Sequence, residues 1–118
     1  MAVYDFEDGK GLVPAHQHKN PDATLGGWVA DSAVVASSVF ISKDAKVFDN
    51  AAVFDNAMVY GDAKVYGDAM VYDSAEVSGT AKVYGNAWVY CGAMVYDNAE
   101  VSGNAKVYGD AGVYDNAY

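Results

Sequence analysis

The residues best suited to metal chemistry are two histidines near the start of the chain, His16 and His18. A spacing of two places both side chains on one face of an extended strand, where two imidazoles can bind the same ion. A zinc site needs three or four protein ligands, and the chain has no third histidine and no nearby cysteine. We therefore predict no metal site, and we assign both histidines to a surface that contacts a partner.

The chain contains one cysteine, Cys91, so it forms no internal disulfide. Cys91 occupies a turn position, and we expect an exposed thiol without a role; a reactive or intermolecular thiol is the alternative. Acidic side chains recur at equivalent turns, as in Asp55 with Asp73 and Asp44 with Asp62. Divalent cations could bridge such rows weakly, but we expect the carboxylates to be hydrated.

These side chains must be positioned by a repeat that runs from Gly27 to Ala117 without insertion or deletion. An aliphatic residue returns at every sixth position from Val29 to Val113. Fixed self-similarity at such a period is typical of proteins that stack one unit on the next. The predicted core ladder of the repeat comprises Val47, Val53, Val59, Val65, Val71, Val77, Val83, Val89, Val95, Val101 and Val107.

Each unit combines three kinds of position. A small residue, nearly always alanine, stands two positions before the aliphatic residue, and Asp, Asn or Gly follow two to three positions after it. Side chains alternate along a strand, so Ala69 and Val71 point inward while Met70 and Tyr72 point outward. Asp, Asn and Gly tolerate the left-handed backbone conformation of a sharp bend. The unit predicts an all-β fold, a parallel β-helix with three units per triangular coil and about five coils.

The repeat resembles the hexapeptide-repeat proteins, which wind as single-stranded left-handed β-helices, over residues Gly27 to Ala117. More narrowly, the tandem motif A-x-V-Y-[GD]-[DN], preceded by Leu25-Gly26-Gly27-Trp28-Val29, is similar to hexapeptide repeats encoded by tailed bacteriophages and prophages. The resemblance implies left-handed winding and trimers of rods packed side by side. It divides the chain into an irregular N-terminal arm or cap, residues 1–26, and the β-helix, residues 27–118.

The hexapeptide-repeat family includes acyltransferases that use coenzyme A or carrier-bound acyl groups. For that activity the resemblance demands a histidine base within the coils, a loop over the substrate and usually a terminal helical region. No histidine follows His18, no insertion interrupts the register, and arginine is absent. We therefore predict no catalytic residue, no cofactor and no enzymatic activity. The alternative is a degenerate acyltransferase relative that binds an acyl or sugar ligand.

Residues 1–26 do not repeat, and they contain both prolines and both histidines. Alternation predicts a short strand over Ala2 to Phe6, and we expect turn and loop after it. The segment either caps the first coil, whose open edge invites pairing, or serves as a docking arm. The first outward positions are the small residues Ala30, Ala36 and Ser42, so we expect the arm or a neighbouring subunit to cover them.

Residues eighteen positions apart stack on successive coils and form outward columns. One column is an aromatic ladder that we expect to stiffen the wall, with carbohydrate or aromatic binding as the alternative. A second column carries charges and is a solvated face. The first comprises Phe54, Tyr72, Tyr90 and Tyr108, and the second Lys46, Lys64, Lys82 and Glu100.

Two further columns are apolar, and exposed apolar stripes mark contact surfaces. We predict that these stripes contact a partner or another copy of the chain, together with the two histidines and one tryptophan. The predicted contact residues are His16, His18, Trp28, Val34, Phe40, Met58, Met70, Trp88 and Met94.

The formal net charge is −9, and all the basic residues apart from histidine are lysines. Phosphate binding needs a basic surface, so we exclude nucleic acid as a partner. No apolar run has the length of a membrane helix, and the first residues lack the pattern of a signal peptide. We therefore expect no association with a membrane. We expect the chain to be made in a bacterial cytoplasm.

A stiff acidic rod with an irregular arm fits a non-enzymatic structural protein. The phage-like motif points to a bacteriophage virion. We expect a capsid decoration protein at the virion surface, a homo-oligomer with a trimer favoured, that docks on the major capsid protein. A tail or fibre tip protein and a cytoplasmic filament are the alternatives.

Overall fold

The computed structural model describes residues 3–6, 9 and 11–114, and these residues form strands without a helix. The first three strands are β1 (Val3–Asp5), β2 (Leu12–Lys19) and β3 (Leu25–Ala30). The two-residue strands β4 to β17 follow at Val34–Val35, Phe40–Ile41, Lys46–Val47, Ala52–Val53, Met58–Val59, Lys64–Val65, Met70–Val71, Glu76–Val77, Lys82–Val83, Trp88–Val89, Met94–Val95, Glu100–Val101, Lys106–Val107 and Gly112–Val113. Within the described ranges, no helix is long and apolar enough to cross a membrane.

Two parts of the sequence prediction lie outside the described residues. One is Ala2, at the start of the predicted first strand, and the other is the end of the repeat from residue 115 to Tyr118. The structure confirms the strand at Val3–Asp5, whereas Phe6, the last residue of the predicted strand, lies outside β1.

The strands from β3 onward stack into three parallel sheets, and each strand pairs with the strand one coil away. The sheets contain β3-β6-β9-β12-β15, β4-β7-β10-β13-β16 and β5-β8-β11-β14-β17. The register is constant, since Val71 lies opposite both Val53 and Val89, eighteen positions away on either side. The predicted all-β parallel β-helix of about five coils is therefore confirmed, while its left-handed winding stays a prediction.

The core is a column of alanines and valines. Ala69 and Val71 are fully buried, and their equivalents on the neighbouring coils are buried in the same way. The predicted core ladder from Val47 to Val107 is confirmed along its whole length. Each fully buried valine contributes about 1.5–3 kcal/mol, so most of the stability comes from this narrow interior.

Backbone hydrogen bonds join each coil to the next. Met70 N donates to Ala87 O at 3.0 Å, and Tyr72 N donates to Val89 O at 3.0 Å. This pattern repeats along the sheets, so the short strands satisfy their polar groups between coils.

The corners have the backbone conformation that their residue types predict. Asp, Gly and one cysteine occupy the left-handed region in the first turn position, with φ of 57–61° for the residues other than glycine. Those non-glycine residues are Asp49, Asp55, Asp73, Cys91 and Asp97. Aspartate and glycine tolerate this conformation better than bulky residues do, which explains their recurrence.

The N-terminal segment is more regular than its sequence predicts. The expected loop is wrong between Leu12 and Lys19, because these eight residues form strand β2, which pairs antiparallel with β1 and with β3. The physical reason is the free edge of β3, whose backbone groups need partners that the repeat does not supply. Pro14 lies within β2, and although it has no N–H to donate, its carbonyl accepts a hydrogen bond from Asp31 N at 2.9 Å.

The turn after β2 brings the chain onto the first coil. Gly26 and Gly27 lie so close to that coil that a Cβ atom on either would overlap a backbone oxygen, of Ile41 and Ala45 respectively. Strand β3 is thus tightly packed at the start of the repeat, and β2 along its edge makes the segment before the repeat a cap.

Candidate functional site

The two histidines occupy different environments. A β-bulge falls between Gln17 and Lys19, so the strand loses its strict alternation after His16. His16 is exposed, and its Nδ1 lies 2.8 Å from a carboxylate oxygen of Asp31. His18 is only 5% exposed, so it cannot serve as the predicted partner contact. The single-face arrangement inferred from their spacing is wrong.

His18 belongs to the interior of the cap. Its Nε2 lies 2.6 Å from the carbonyl oxygen of Val39, which accepts the imidazole N–H. Burial lowers the pKa of His18 below its ordinary value of 6.5, and the bond to Val39 opposes this shift only in part. The neutral imidazole is the form that fits the cap.

Across the part of the chain that the structure describes, no group of three or more His, Cys, Asp or Glu side chains could hold a metal ion. The acidic rows at the corners have another role. Asp55 Oδ2 accepts a hydrogen bond from Asp73 N at 3.2 Å, and Asp73 Oδ2 accepts one from Cys91 N at 3.1 Å. Asp49 bonds Gly67 N in the same way. These carboxylates link successive coils, whereas we expected them only to be hydrated.

Cys91 departs from the aspartate and glycine that occupy the other corners with a left-handed backbone. Its thiol is exposed and free, as predicted, and its backbone adopts a φ of 59° where aspartate or glycine stands in other corners.

The three sheets present three different outer faces. The lysine face, on the sheet that begins with β3, carries the column Lys46, Lys64, Lys82 and Glu100. The tryptophan face, on the sheet that begins with β4, carries Val34, Ala52, Met70, Trp88 and Lys106. The methionine face, on the sheet that begins with β5, carries Phe40, Met58, Glu76, Met94 and Gly112. The predicted columns are thus confirmed as stacks.

The predicted contact residues differ in accessibility. Val34 is 63% exposed, Met94 45% and Met58 38%, whereas Phe40 and Met70 are half-buried. The most accessible apolar atoms therefore lie at Val34 on one face and along the methionine face on another.

The two tryptophans are partly covered by the chain itself. Trp28 stacks on Tyr4 of the cap with ring centroids 4.9 Å apart. Trp88 lies beneath Lys106, whose Nζ is 5.0 Å from the centroid of the indole ring. The rings of Trp88 and Tyr72 meet in an edge-to-face arrangement with centroids 6.4 Å apart. Both rings remain half-buried, so any contact with a partner uses only part of each indole.

The predicted aromatic ladder is present. Phe54, Tyr72, Tyr90 and Tyr108 stack with successive centroid distances of 4.9, 5.1 and 5.4 Å. Such nearly parallel pairs add about 0.5–1.5 kcal/mol each beyond their burial.

A second ladder was not predicted, and it joins the cap to the coils. Phe6 stacks on Phe48 at 4.8 Å, Phe48 on Tyr66 at 4.8 Å, and Tyr66 on Tyr84 at 5.0 Å. Ala30 is buried beneath this cluster, which confirms that the N-terminal segment covers the small outer position there. The spacing of eighteen could have revealed the last three rings, but nothing in the repeat predicts Phe6.

A cavity of about 330 Å³ opens on the methionine face. Its lining residues are Tyr60, Glu76, Ser78, Gly79, Met94, Tyr96 and Asp97. Tyr60 Oη donates a hydrogen bond to Glu76 Oε1 at 2.7 Å, and this bond raises the pKa of the tyrosine. The phenol therefore stays protonated and orients the carboxylate at the edge of the cavity. Sequence reasoning did not identify this site.

Coils, corners and stacked columns define the chain as a β-solenoid repeat protein. A family model described as YdcK Beta solenoid repeat matches residues 63–79, close to one full coil. The match and the architecture together support a repeat β-helix family. Comparison with curated proteins and with solved structures gives no match.

Proposed function

We propose that this chain is a non-enzymatic structural protein, a stiff acidic strut that assembles through its outer faces. The observation that carries the proposal is the difference between those faces. Apolar side chains line the tryptophan and methionine faces, with Met58 and Met94 exposed, while the third face presents lysines. Exposed apolar stripes on a rigid scaffold are typical of contact surfaces.

Two apolar faces on one triangular rod fit a closed trimer. In a three-fold assembly, the tryptophan face of one copy packs on the methionine face of the next, and the lysine face points outward. The closed three-fold contact uses both apolar faces of every copy, so the assembly stops at three. This arrangement also satisfies the trimer that the hexapeptide-repeat resemblance implies.

In finer terms, we propose a decoration protein at the surface of a bacteriophage capsid, docked on the major capsid protein and made in the host cytoplasm. The support for this step is the phage-like repeat motif around Leu25-Gly26-Gly27-Trp28-Val29. Because residues of the cap pair with the first coil, docking would use the outer surface of the folded cap rather than a free arm.

Light scattering coupled to size-exclusion chromatography tests the trimer. The expected mass is that of three chains of 12.5 kDa each. Changing both Met58 and Met94 to Glu should give monomers, while Lys82→Glu on the lysine face should leave the trimer intact. A wild-type monomer, or a trimer insensitive to both methionine changes, would contradict the assembly.

Quantitative mass spectrometry of purified virus particles tests the virion role. A fixed and high ratio of this chain to the major capsid protein supports a decoration protein. A few copies per particle would instead favour the tail or fibre tip, and absence from particles would remove the virion role while leaving the trimer test unaffected.

A further inference from the structure

The first coil ends in three strand edges, one for each sheet, and the cap closes two of them. Strand β2 pairs along the edge of β3. At the edge of β5, side chains of the cap take the place of a strand. Asn20 bonds both Ile41 N and Ile41 O, and His18 Nε2 donates to Val39 O at 2.6 Å. Among the residues that the structure describes, β4 pairs only with β7, and nothing covers its other edge.

The open edge of β4 presents three backbone groups. Their equivalents one unit later in the repeat are the three groups that the cap bonds, Val39 O, Ile41 N and Ile41 O. Six positions earlier, these groups are Ala33 O, Val35 N and Val35 O. Within the described ranges, none of the three has a hydrogen-bond partner. An edge with unpaired N–H and C=O groups is a template for another strand.

The core is also less covered above this edge. Val29 and Ile41, the first inward residues of the other two sheets, are fully buried, and so is Val53 on the coil below β4. Val35 occupies the same kind of inward position but is only half-buried. An aliphatic side chain placed above Val35 would extend the column of valines and bury apolar surface.

The open edge faces along the rod rather than sideways. Strands of successive coils pair along the axis of the rod, so the unpaired groups of β4 point out of its end. Side-by-side packing of copies leaves that end accessible, and the inference does not rest on the proposed trimer. The end of a second rod cannot reach the edge, because β2 and β1 stand beyond β3 on the same end. A single extended segment can pass beside them.

We propose that the open edge of β4 binds an extended segment of a partner protein. The segment adds to the sheet as a parallel strand and places an aliphatic residue above Val35. Its backbone donates to Ala33 O and Val35 O and accepts from Val35 N, in the pattern that β4 itself makes with β7. The main chain supplies the affinity and the aliphatic residue the specificity. Because only three hydrogen bonds form, an isolated peptide binds in the millimolar range.

The repeat itself supplies the probe. β7 pairs with β10 as the segment pairs with β4, with Val53 opposite Val71. The probe is therefore the acetylated and amidated peptide Asn-Ala-Ala-Val-Phe-Asp, residues 50–55. In the rod, Phe54 N donates to Val71 O at 3.0 Å, so N-methylation of the phenylalanine removes the bond to Val35 O. N-methylation of the valine is the matched control, because neighbouring N–H groups of a strand point to opposite sides.

The experiment is an NMR titration of the full isotope-labelled chain with this peptide. We expect saturable shifts of the Val35 amide, while the Ile41 amide, already bonded to Asn20, stays unchanged. The peptide methylated at phenylalanine should bind at least about tenfold more weakly than the parent, and the peptide methylated at valine within about twofold of it. Val35→Pro removes the N–H and places the ring in the edge, so it should abolish binding. Circular dichroism melting verifies that this variant folds, and the methylated peptides test the same contact on the unaltered chain.

Several outcomes would overturn the proposal. Equal binding of the two methylated peptides would show that the main chain of the segment does not pair with β4. Unsaturable shifts, or full binding by a folded Val35→Pro variant, would exclude the edge as the site. Repeating the titration with both Met58 and Met94 changed to Glu separates the site from the proposed assembly. Unchanged shifts of Val35 support the edge whether or not trimers form, whereas their loss would assign the peptide to the contact between copies.

Discussion

Asn20 bonds both backbone groups of Ile41 with its side-chain amide. Its Nδ2 donates to Ile41 O at 3.0 Å, and its Oδ1 accepts from Ile41 N at 2.8 Å. The amide thus takes the place of a neighbouring strand. It pairs with the first strand of the sheet that begins at Phe40–Ile41. Together with β2 along β3, this single residue closes a second edge of the first coil.

Asn20→Ala should open that edge. The variant leaves Ile41 N and O without their partners inside a buried site, so we expect a loss of about 1–3 kcal/mol in the free energy of unfolding. Urea unfolding followed by circular dichroism measures the loss. Size-exclusion chromatography at increasing concentration should also show association through the unpaired edge.

The control for this change is Asn86→Ala, which removes an exposed turn asparagine far from the cap. It should shift the unfolding free energy by less than about 0.5 kcal/mol. Equal effects of the two substitutions would show that Asn20 does not protect the first coil.

Val71→Asp and Met70→Asp test the inward and outward assignment at adjacent positions. Val71 is fully buried, so an aspartate there buries an unpaired charge and should cost at least about 4 kcal/mol. Met70 lies on the tryptophan face and is half-buried, so its substitution should cost less than about 1 kcal/mol in the monomer. Thermal melting measured at low concentration separates the two, and similar melting temperatures would refute the alternation.

Gly27→Ala tests the close approach of strand β3 to the backbone at Ala45. A Cβ atom at Gly27 would overlap the carbonyl oxygen of Ala45, which is backbone and cannot move aside alone, so we expect a loss of about 3 kcal/mol. Gly103→Ala is the comparison, because Gly103 has a φ of 63° but open space around its Cβ position. That variant should lose only about 1 kcal/mol through backbone strain. Chemical unfolding of both variants measures the difference.

The solenoid was predictable from the sequence because its determinants are local and repeated. An inward valine such as Val71, an alanine two positions earlier and a turn former two positions later recur often enough to fix the register. The outer columns follow directly, since residues eighteen apart must stack. This is why the ladder from Phe54 to Tyr108 and the lysine column were predicted correctly.

The cap and the cavity on the methionine face could not be predicted in the same way. β2 pairs antiparallel with β3 through contacts that do not recur along the chain, so no periodic pattern in the sequence predicts them. The bulge near Gln17 moves His18 into the interior, although strict alternation would leave it beside His16. Ser78 is visible in the sequence as a departure from tyrosine, but the cavity that it lines with Tyr60 and Tyr96 appears only in the structure.

His18 should make the cap sensitive to pH. Its folded pKa lies below the ordinary value of 6.5, chiefly through burial, so the unfolded chain binds the proton more readily. The contribution of His18 to stability is therefore fully present above pH 6.5 and falls as the pH drops from that value towards the folded pKa. We expect the free energy of unfolding to decrease between about pH 7.5 and about pH 5.5.

His18→Gln should reduce this decrease, because glutamine does not titrate, whereas His16→Gln, at the exposed histidine beside Asp31, should retain it. Urea unfolding of both variants at the two ends of this pH range measures how far the free energy of unfolding falls in each. A decrease that survives unchanged in the His18→Gln variant would assign the pH sensitivity to other groups.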